Sequence, residues 1–355
     1  WVQIYTYFPY LQPSRIKLSL ARTGTMDRFN TFRISIEAFY LAHKRDLPWR
    51  KEVPVPYEVW LSEIILQQTR VAQGTPYFEK ILAAFPSAEA LAGAEEDHLL
   101  ALWTGLGYYN RARNLQKGAK QIVADFDGQL PSSFAELLTI KGIGPYTAAA
   151  IASICFKEKI GVVDGNVYRV LSRYFGIETP INSSSGQKEF QALANECIAG
   201  TKHPDLYNQG IMEFGALHCT PKKPHCMTCP IADSCHAHNS GTVLELPIKL
   251  KKGKRSKETI HFGVVERENL VALKKRGTDS IWAGLYEFPR LNDAPEQGQL
   301  MAEPIVHKLS HKDLYCSFWA VSEDEISGDF NFYSKPEAQQ LGMPIIIADF
   351  VAKKL

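Results

Sequence analysis

Leu137-Leu138-Thr139-Ile140-Lys141-Gly142-Ile143-Gly144-Pro145-Tyr146-Thr147-Ala148 is the stretch on which the fold turns. A helix-forming run meets Gly-Ile-Gly-Pro and passes into the small residues Thr147 to Ala152. Two glycines permit a tight turn, and a proline suits the first position of a new helix. The free N–H groups at that helix start face outward and can hold a phosphate. The segment reads as a helix-hairpin-helix, a sequence-independent grip on a nucleic-acid backbone. Taken alone, G-x-G fits an ordinary helix–loop–helix connection equally well. A cluster of cysteines further along the chain favours the nucleic-acid reading.

Cys219, Cys226, Cys229 and Cys235 form a C-x6-C-x2-C-x5-C run, four of the chain's 7 cysteines. A disulfide framework belongs to short secreted chains, not to 355 residues without an apolar signal segment. Four thiolates on one loop can enclose a soft metal centre. Structural zinc usually shows two paired C-x-x-C knuckles, and here there is one. A cubane iron–sulfur cluster also takes four thiolates. Spacing leaves the two metals open. Cys155, Cys197 and Cys316 lack partners at ligand spacing and read as buried thiols.

A net charge of +2 advertises no global affinity for DNA. The charge is local. From Cys219 to Lys257 stand eight Lys/Arg (Lys222, Lys223, Lys249, Lys251, Lys252, Lys254, Arg255, Lys257) against Asp233 and Glu245. Such clustering suits a phosphate footprint, and a solvated linker equally. No run of 18 apolar residues exists to span a membrane. Residues 1–25 hold Arg15, Lys17 and Arg22 but no acid, and Met26 comes next. Met26 is the expected natural start, with an upstream extension to about residue 27; a basic targeting segment is the alternative.

Apolar residues at three- and four-residue spacing predict helices over Tyr57–Gln73, Ala88–Trp103, Arg111–Phe126, Phe134–Ile140, Asn166–Phe175 and Gln187–Ala199. A basic, polar linker is expected over 237–257. Beyond it, Ile260–Val265, Leu270–Leu273 and Leu314–Val321 are rich in β-branched and aromatic residues and read as strands. The fold class expected is α+β multidomain: an all-α core over 28–236 followed by an α/β domain over 258–355.

The helix-hairpin-helix, then Val162-Val163-Asp164-Gly165-Asn166-Val167, then the cysteine run, together resemble the endonuclease III superfamily of DNA glycosylases, and within it the MutY family of adenine DNA glycosylases. The match spans about Leu47 to Trp319. It implies a six-helix barrel over about 58–162, a cluster domain from 28–57 plus 163–236, and a [4Fe-4S] cluster on Cys219, Cys226, Cys229 and Cys235. It also implies a substrate: double-stranded DNA with adenine mispaired with 8-oxoguanine or guanine. A monomer is expected, working in a bacterial cytoplasm or in a eukaryotic nucleus or mitochondrion.

Adenine leaves deoxyribose only when its ring is protonated, and the sugar passes through an oxocarbenium-like state. One carboxylic acid and one carboxylate are therefore needed. Glu63, in Trp60-Leu61-Ser62-Glu63-Ile64-Ile65-Leu66-Gln67-Gln68-Thr69, is the candidate acid; its apolar neighbours favour the neutral form. An isolated Glu would read as a solvated helix-surface residue, but L-S-E-I-I-L-Q-Q-T resembles the family's catalytic segment. Asp164, ahead of a helix start, should cap that helix and stay ionised through its donors. The resemblance sets Asp164 at the sugar, with Asn166 positioning sugar or water and Tyr146 supporting Asp164. Bifunctional relatives carry a lysine where this chain has Tyr146, and that lysine forms an imine with the sugar. Strand cleavage is therefore not expected, Lys141 lying across the turn.

Base flipping leaves a gap in the stack. The resemblance assigns Gln68 and Tyr108 to the opposite strand, Trp49, Arg50 and Glu213 to the adenine pocket, Leu66 to DNA or base binding, and Gly142 and Gly144 to the hairpin. Arg111 and Arg113 beside Tyr108 suit phosphate contacts. The C-terminal part resembles a Nudix-like domain through Ile281-Trp282-Ala283-Gly284-Leu285-Tyr286-Glu287-Phe288-Pro289. Residues 290–304 hold Asp293, Glu296 and Glu303 without a metal-binding cluster, so a binding module is expected. Ser310 and His311 match the loop that reads 8-oxoguanine, with Leu309 where the family carries Phe. A glycosylase/lyase for oxidised pyrimidines would need a hairpin lysine and no such domain. A non-catalytic iron–sulfur protein would lack Glu63 or Asp164.

Overall fold

The computed structural model describes residues 22–251, 253, 255–277, 281–296 and 298–355, with side chains from Arg28 onward. Most of the expected extension, and Lys252 and Lys254 of the basic run, lie outside the described residues. Among the described residues, twelve α-helices occupy the first two thirds: α1 (Arg22–His43), α2 (Pro56–Leu66), α3 (Val71–Ala84), α4 (Ala88–Ala92), α5 (Glu96–Leu102), α6 (Asn110–Asp125), α7 (Phe134–Leu137), α8 (Pro145–Phe156), α9 (Gly165–Phe175), α10 (Ser184–Ala199), α11 (Pro204–Leu217) and α12 (His236–Ser240). The helix α1 starts at Arg22, so it runs through Met26 instead of beginning beyond it.

Two expected helices are each interrupted. The run from Tyr57 breaks between α2 and α3, where Gln68 takes a left-handed φ of 59°. The run from Ala88 breaks at Gly93, which closes α4. Pro145 does open α8, and Lys157 at φ 61° closes it. The face from Thr147 to Ile154 is buried throughout; with alanine at four of the eight positions, neighbouring helices can approach closely. Gly142 needs its φ of 87°, and a Cβ there would sit 2.8 Å from Cβ of Asn114. Gly144 has ordinary backbone angles and open space around it.

The C-terminal part is built from β1 (Ser256–Val264), β2 (Glu266–Arg267), β3 (Leu270–Lys275), β4 (Tyr286–Glu287), β5 (Arg290–Leu291), β6 (Gln299–Leu300), β7 (Ile305–Lys308), β8 (Lys312–Ala320) and β9 (Asn331–Ser334), with α13 (Lys335–Ala338) and α14 (Ile345–Lys354). One sheet runs β5-β1-β8-β6 with β7 also on β8, and β1 lies parallel to β8 in the register Ile260 to Cys316. A second sheet runs β2-β3-β4 with β9 on β3. Phe262, Phe288, Phe318 and Phe350 stack at the centre of this unit. Leu309, Ser310 and His311 form the tip of the β7–β8 hairpin, closed by the amide of Leu309 donating to the carbonyl of Lys312 at 2.8 Å.

The sheet domain rests on the corner between α5 and α6. The Tyr109 hydroxyl donates to the Met343 carbonyl at 2.5 Å, and the Met343 amide reaches Thr104 Oγ1 at 3.4 Å. Lys275 pairs with Asp97 at 2.7 Å, and Arg113 donates to the Ala283 carbonyl. The loop that carries Tyr108 is thereby held from the C-terminal side.

Candidate active site

A cleft of about 910 Å³ opens between α2, α8, α9 and α11. Its wall gathers Trp49, Arg50, Glu63, Leu66, Gln68, Gly144, Tyr146, Asp164, Asn166 and Glu213. Segments more than 100 residues apart meet here because α8 packs on both α2 and α11, and α11 packs in turn on α9. Gly142 stays outside the cleft, held by its turn.

Glu63 lines this cleft on α2. Burial pushes its carboxyl up to about 7, and the negative charge of Asp164 adds to this. The Tyr146 hydroxyl opposes the rise by donating to Glu63 Oε2 at 2.7 Å. Burial likewise raises the Tyr146 hydroxyl well above its ordinary value, so it remains a donor. The partner of Tyr146 is thus Glu63, not Asp164 as expected, because α8 faces the acid's helix α2.

Asp164 caps α9. Its Oδ1 accepts from the amides of Asn166 at 2.8 Å and Val167 at 2.7 Å, and its Oδ2 accepts from Asn166 Nδ2 at 2.7 Å. Burial still raises its carboxyl above the usual carboxylate range, against the pull of these three donors and of Arg169. The cap, which was expected, therefore moderates the desolvation without cancelling it. Asn166 is itself fixed by Arg169, which donates to Asn166 Oδ1 at 2.9 Å and to the Cys219 carbonyl at 2.7 Å.

Glu213 is 1% exposed and meets two arginines. Arg45 donates to both its carboxylate oxygens, at 2.8 and 2.7 Å, and Arg50 does so at 3.1 and 2.9 Å. Burial alone would raise this carboxyl, but the hydrogen bonds and the Arg50 charge outweigh it and hold it at about 2. Arg45 went unread in the sequence; the only signal was a second arginine five residues before Arg50. Trp49 is 8% exposed and packs edge-on against Phe78.

Tyr108, Ser310 and His311 line a separate cavity of about 520 Å³ between the two domains, with Trp282, His307 and Leu309. Tyr108 is 47% exposed and has a left-handed φ of 49°. Arg111 and Arg113, expected as phosphate contacts, are half-buried and hydrogen-bonded within the protein. Arg111 donates to five main-chain carbonyls of the core, and Arg113 pairs with Glu96 at 3.2 Å. The six described basic residues between Cys219 and Lys257 are exposed, and Arg255 pairs with Asp313.

The four cysteines of the run line one cavity beside Arg173, whose guanidinium donates to Cys219 Sγ at 3.4 Å. A buried cation aimed at a sulfur suits a thiolate that carries negative charge in a metal cluster. Among the described residues, no three His, Cys, Asp or Glu side chains converge as ligands of a single ion.

Residues 61–196 match the HhH-GPD superfamily of base excision DNA repair proteins, residues 219–235 the iron–sulfur binding domain of endonuclease III, and residues 261–353 the NUDIX domain. The adenine DNA glycosylase of Buchnera aphidicola from Acyrthosiphon pisum is 31% identical over 337 residues, 90% of this chain and 96% of that protein. The corresponding protein from the Schizaphis graminum strain is 36% identical over 72% of this chain and 73% of that protein. The chain belongs to the adenine DNA glycosylase family. The human adenine DNA glycosylase is 41% identical over 78% of this chain and 60% of its own length. A thermostable thymine-DNA glycosylase superposes with a TM-score of 0.56 at 29% identity, covering 61% of this chain and 99% of that one. A trapped endonuclease III–DNA covalent intermediate shares the helical fold, with a TM-score of 0.52 at 20% identity, 62% of this chain and 99% of that one. As a member of the adenine DNA glycosylase family, the chain is a DNA N-glycosylase of base excision repair that carries an iron–sulfur binding loop. Among the described residues no helix is long and apolar enough to cross a membrane.

Proposed function

We propose that the enzyme removes adenine mispaired with 8-oxoguanine or guanine, by hydrolysis without strand cleavage. The observation that carries this is a carboxyl held near neutrality, Glu63, sharing one cleft with a capped aspartate. The flipped adenine enters between them. Protonated Glu63 donates to a ring nitrogen of the adenine, and the glycosidic bond breaks with its electrons moving into the base. The Tyr146 hydroxyl stabilises the carboxylate left on Glu63. Asp164 faces the developing positive charge at the sugar, and Asn166 orients the attacking water. The ion pair of Glu213 with Arg45 and Arg50 holds the pocket wall. Wild type should excise adenine from a duplex with 8-oxoguanine opposite; a thymine released in preference to adenine would end this reading.

Among the described residues no lysine lines the cleft wall, and the hairpin position belongs to Tyr146. The product should therefore be an abasic site that breaks only with alkali or heat. Borohydride should trap almost no covalent complex. Efficient trapping through Lys141 would require a lyase mechanism instead.

Ser310 and His311 are exposed, with Ser310 Oγ 3.4 Å from His311 Nδ1, and both keep hydrogen-bonding capacity for a damaged guanine. Replacing both with Ala should slow excision opposite 8-oxoguanine more than opposite guanine, because a contact made only with the lesion is silent without it. A loss of about 1–3 kcal/mol is expected. Equal slowing on both substrates would assign the hairpin tip to general DNA affinity.

Cys219, Cys226, Cys229 and Cys235 would hold a [4Fe-4S] cluster. The match of residues 219–235 to the iron–sulfur binding domain of endonuclease III supports iron–sulfur over zinc. When bound, the cluster supplies four iron–thiolate links that fix the loop against α9 and α11. Purified protein should be brown with about four irons per chain, and Cys226→Ser should lower soluble yield more than Cys155→Ser. Stoichiometric zinc with no visible absorbance would exclude the cluster.

A further inference from the structure

Among the seven described non-glycine residues with left-handed backbone conformations are two that the sequence reading assigns to the opposite strand: Gln68 at φ 59° and Tyr108 at φ 49°. Such conformations are unfavourable for side chains with a Cβ and persist only where the surroundings over-determine them. They belong to different elements, the break after α2 and the loop before α6. One guanidinium touches both. Arg111 Nη1 donates to the carbonyls of Ile64 and Ile65 at 2.9 Å each and of Gln67 at 2.5 Å. Its Nη2 donates to the carbonyls of Leu106 and Gly107 at 3.2 Å each. The Gln67 carbonyl belongs to the peptide immediately before Gln68, and the Gly107 carbonyl to the peptide immediately before Tyr108. Each left-handed φ is a rotation about the bond that leads out of one of these peptides, so Arg111 holds one of the two planes that set it.

The rest of the arginine's surroundings serve the same geometry. Its guanidinium lies over the Trp103 ring at 5.4 Å and the Tyr108 ring at 5.6 Å. The Trp103 indole donates to the same Gly107 carbonyl at 3.1 Å. The described hydrogen bonds of Arg111 all go to main-chain carbonyls, and its Nε is buried without a partner. A cation placed so far from any ion pair has given up solvent for carbonyl dipoles, which only a planar fork with several donors can satisfy at once.

We infer that Arg111 is a positioning residue for mismatch recognition: it locks Gln68 and Tyr108 into one rigid pair of probes before DNA arrives. The inference rests on the reading that these two side chains meet the strand opposite the adenine. A preformed probe pair costs less ordering on binding than two loops that must find their conformations on the duplex.

The test uses the full chain and a duplex with adenine opposite 8-oxoguanine. Arg111→Lys keeps the charge but cannot span both peptides. It should weaken duplex affinity about tenfold, the scale of coupling between residues sharing one network, at a temperature where melting curves show both proteins fully folded. Added to a Gln68→Ala, Tyr108→Ala background, the same change should cause no further loss. Additive losses would overturn the inference and point to Glu63, the residue before Ile64, as the group Arg111 serves. A Gln68→Ala, Tyr108→Ala protein that binds as wild type would instead defeat the reading on which the inference rests, and the inference with it. Should Arg111→Lys fail to accumulate as folded protein, amide exchange in wild type decides. Segments 64–68 and 106–111 should open with one common rate, and independent rates would refute a shared strut.

Discussion

Glu63→Gln should keep the complex with mismatched DNA and lose adenine excision by about a hundred- to ten-thousandfold, the usual worth of a general acid. Glutamine preserves the size of the side chain and can still accept from the Tyr146 hydroxyl, which donates at 2.7 Å in the wild type. What it cannot do is release a proton to the base. The pH dependence gives a second handle. The Glu63 carboxyl is held at about 7 by burial, so it carries its proton below that pH and loses it above. Excision by wild type should fall as pH rises through 7, by about tenfold per unit once the acid is mostly ionised. The Glu63→Gln protein should lack that limb. Near-normal excision by this variant, or an unchanged alkaline limb, would move the acid elsewhere in the cleft.

Asp164→Asn should cost about a hundred- to a thousandfold in excision, the scale for removing one charge aimed at the transition state, with a small change in melting temperature. The distinction depends on the cap. An asparagine oxygen can still accept from the amides of Asn166 and Val167, now at 2.8 and 2.7 Å, so α9 keeps its start. The second contact changes sign: Asn166 Nδ2 donates to Asp164 Oδ2 at 2.7 Å, and an amide nitrogen there would face another donor. Asn166 cannot simply rotate, because its Oδ1 accepts from Arg169. Loss of excision with an intact melting curve supports a role for the charge at the sugar. Parallel loss of both would reduce Asp164 to a helix cap. The wild-type carboxyl is raised by burial and must be ionised to act, so excision should also decline on the acid side as Asp164 takes up its proton.

Local features are legible in the chain itself. A glycine turn followed by Pro145 starts α8, and an aspartate ahead of Gly165 caps α9, because capping and turn chemistry involve residues within a few positions of each other. The interruption after Leu66 is not legible. Nothing in Leu66-Gln67-Gln68-Thr69 is a strong helix breaker, and the break is held by Arg111, 44 residues away from Gln67. The same distance hides the role of that arginine, which resembles a phosphate contact when judged by its neighbours Tyr108 and Asn110. Arg45 and the true partner of Tyr146 are hidden for the same reason: each contact spans more than 80 residues. Burial of a charged group against distant main chain leaves no periodic signature.

The seam between the sheet domain and the loop at 104–109 is made largely with peptide groups: the carbonyl and amide of Met343 and the carbonyl of Ala283. A joint of that kind records chain length more strictly than residue identity. Ala283 could drift among small residues without touching the bond from Arg113, since the acceptor is not its side chain. One residue added or removed between Leu341 and Met343 would shift the Met343 carbonyl and amide by a peptide and release the hydroxyl of Tyr109. Over evolutionary time this seam should therefore tolerate substitution and resist insertion, so that a sheet domain transplanted from a relative would fit only where its turns have the same number of residues.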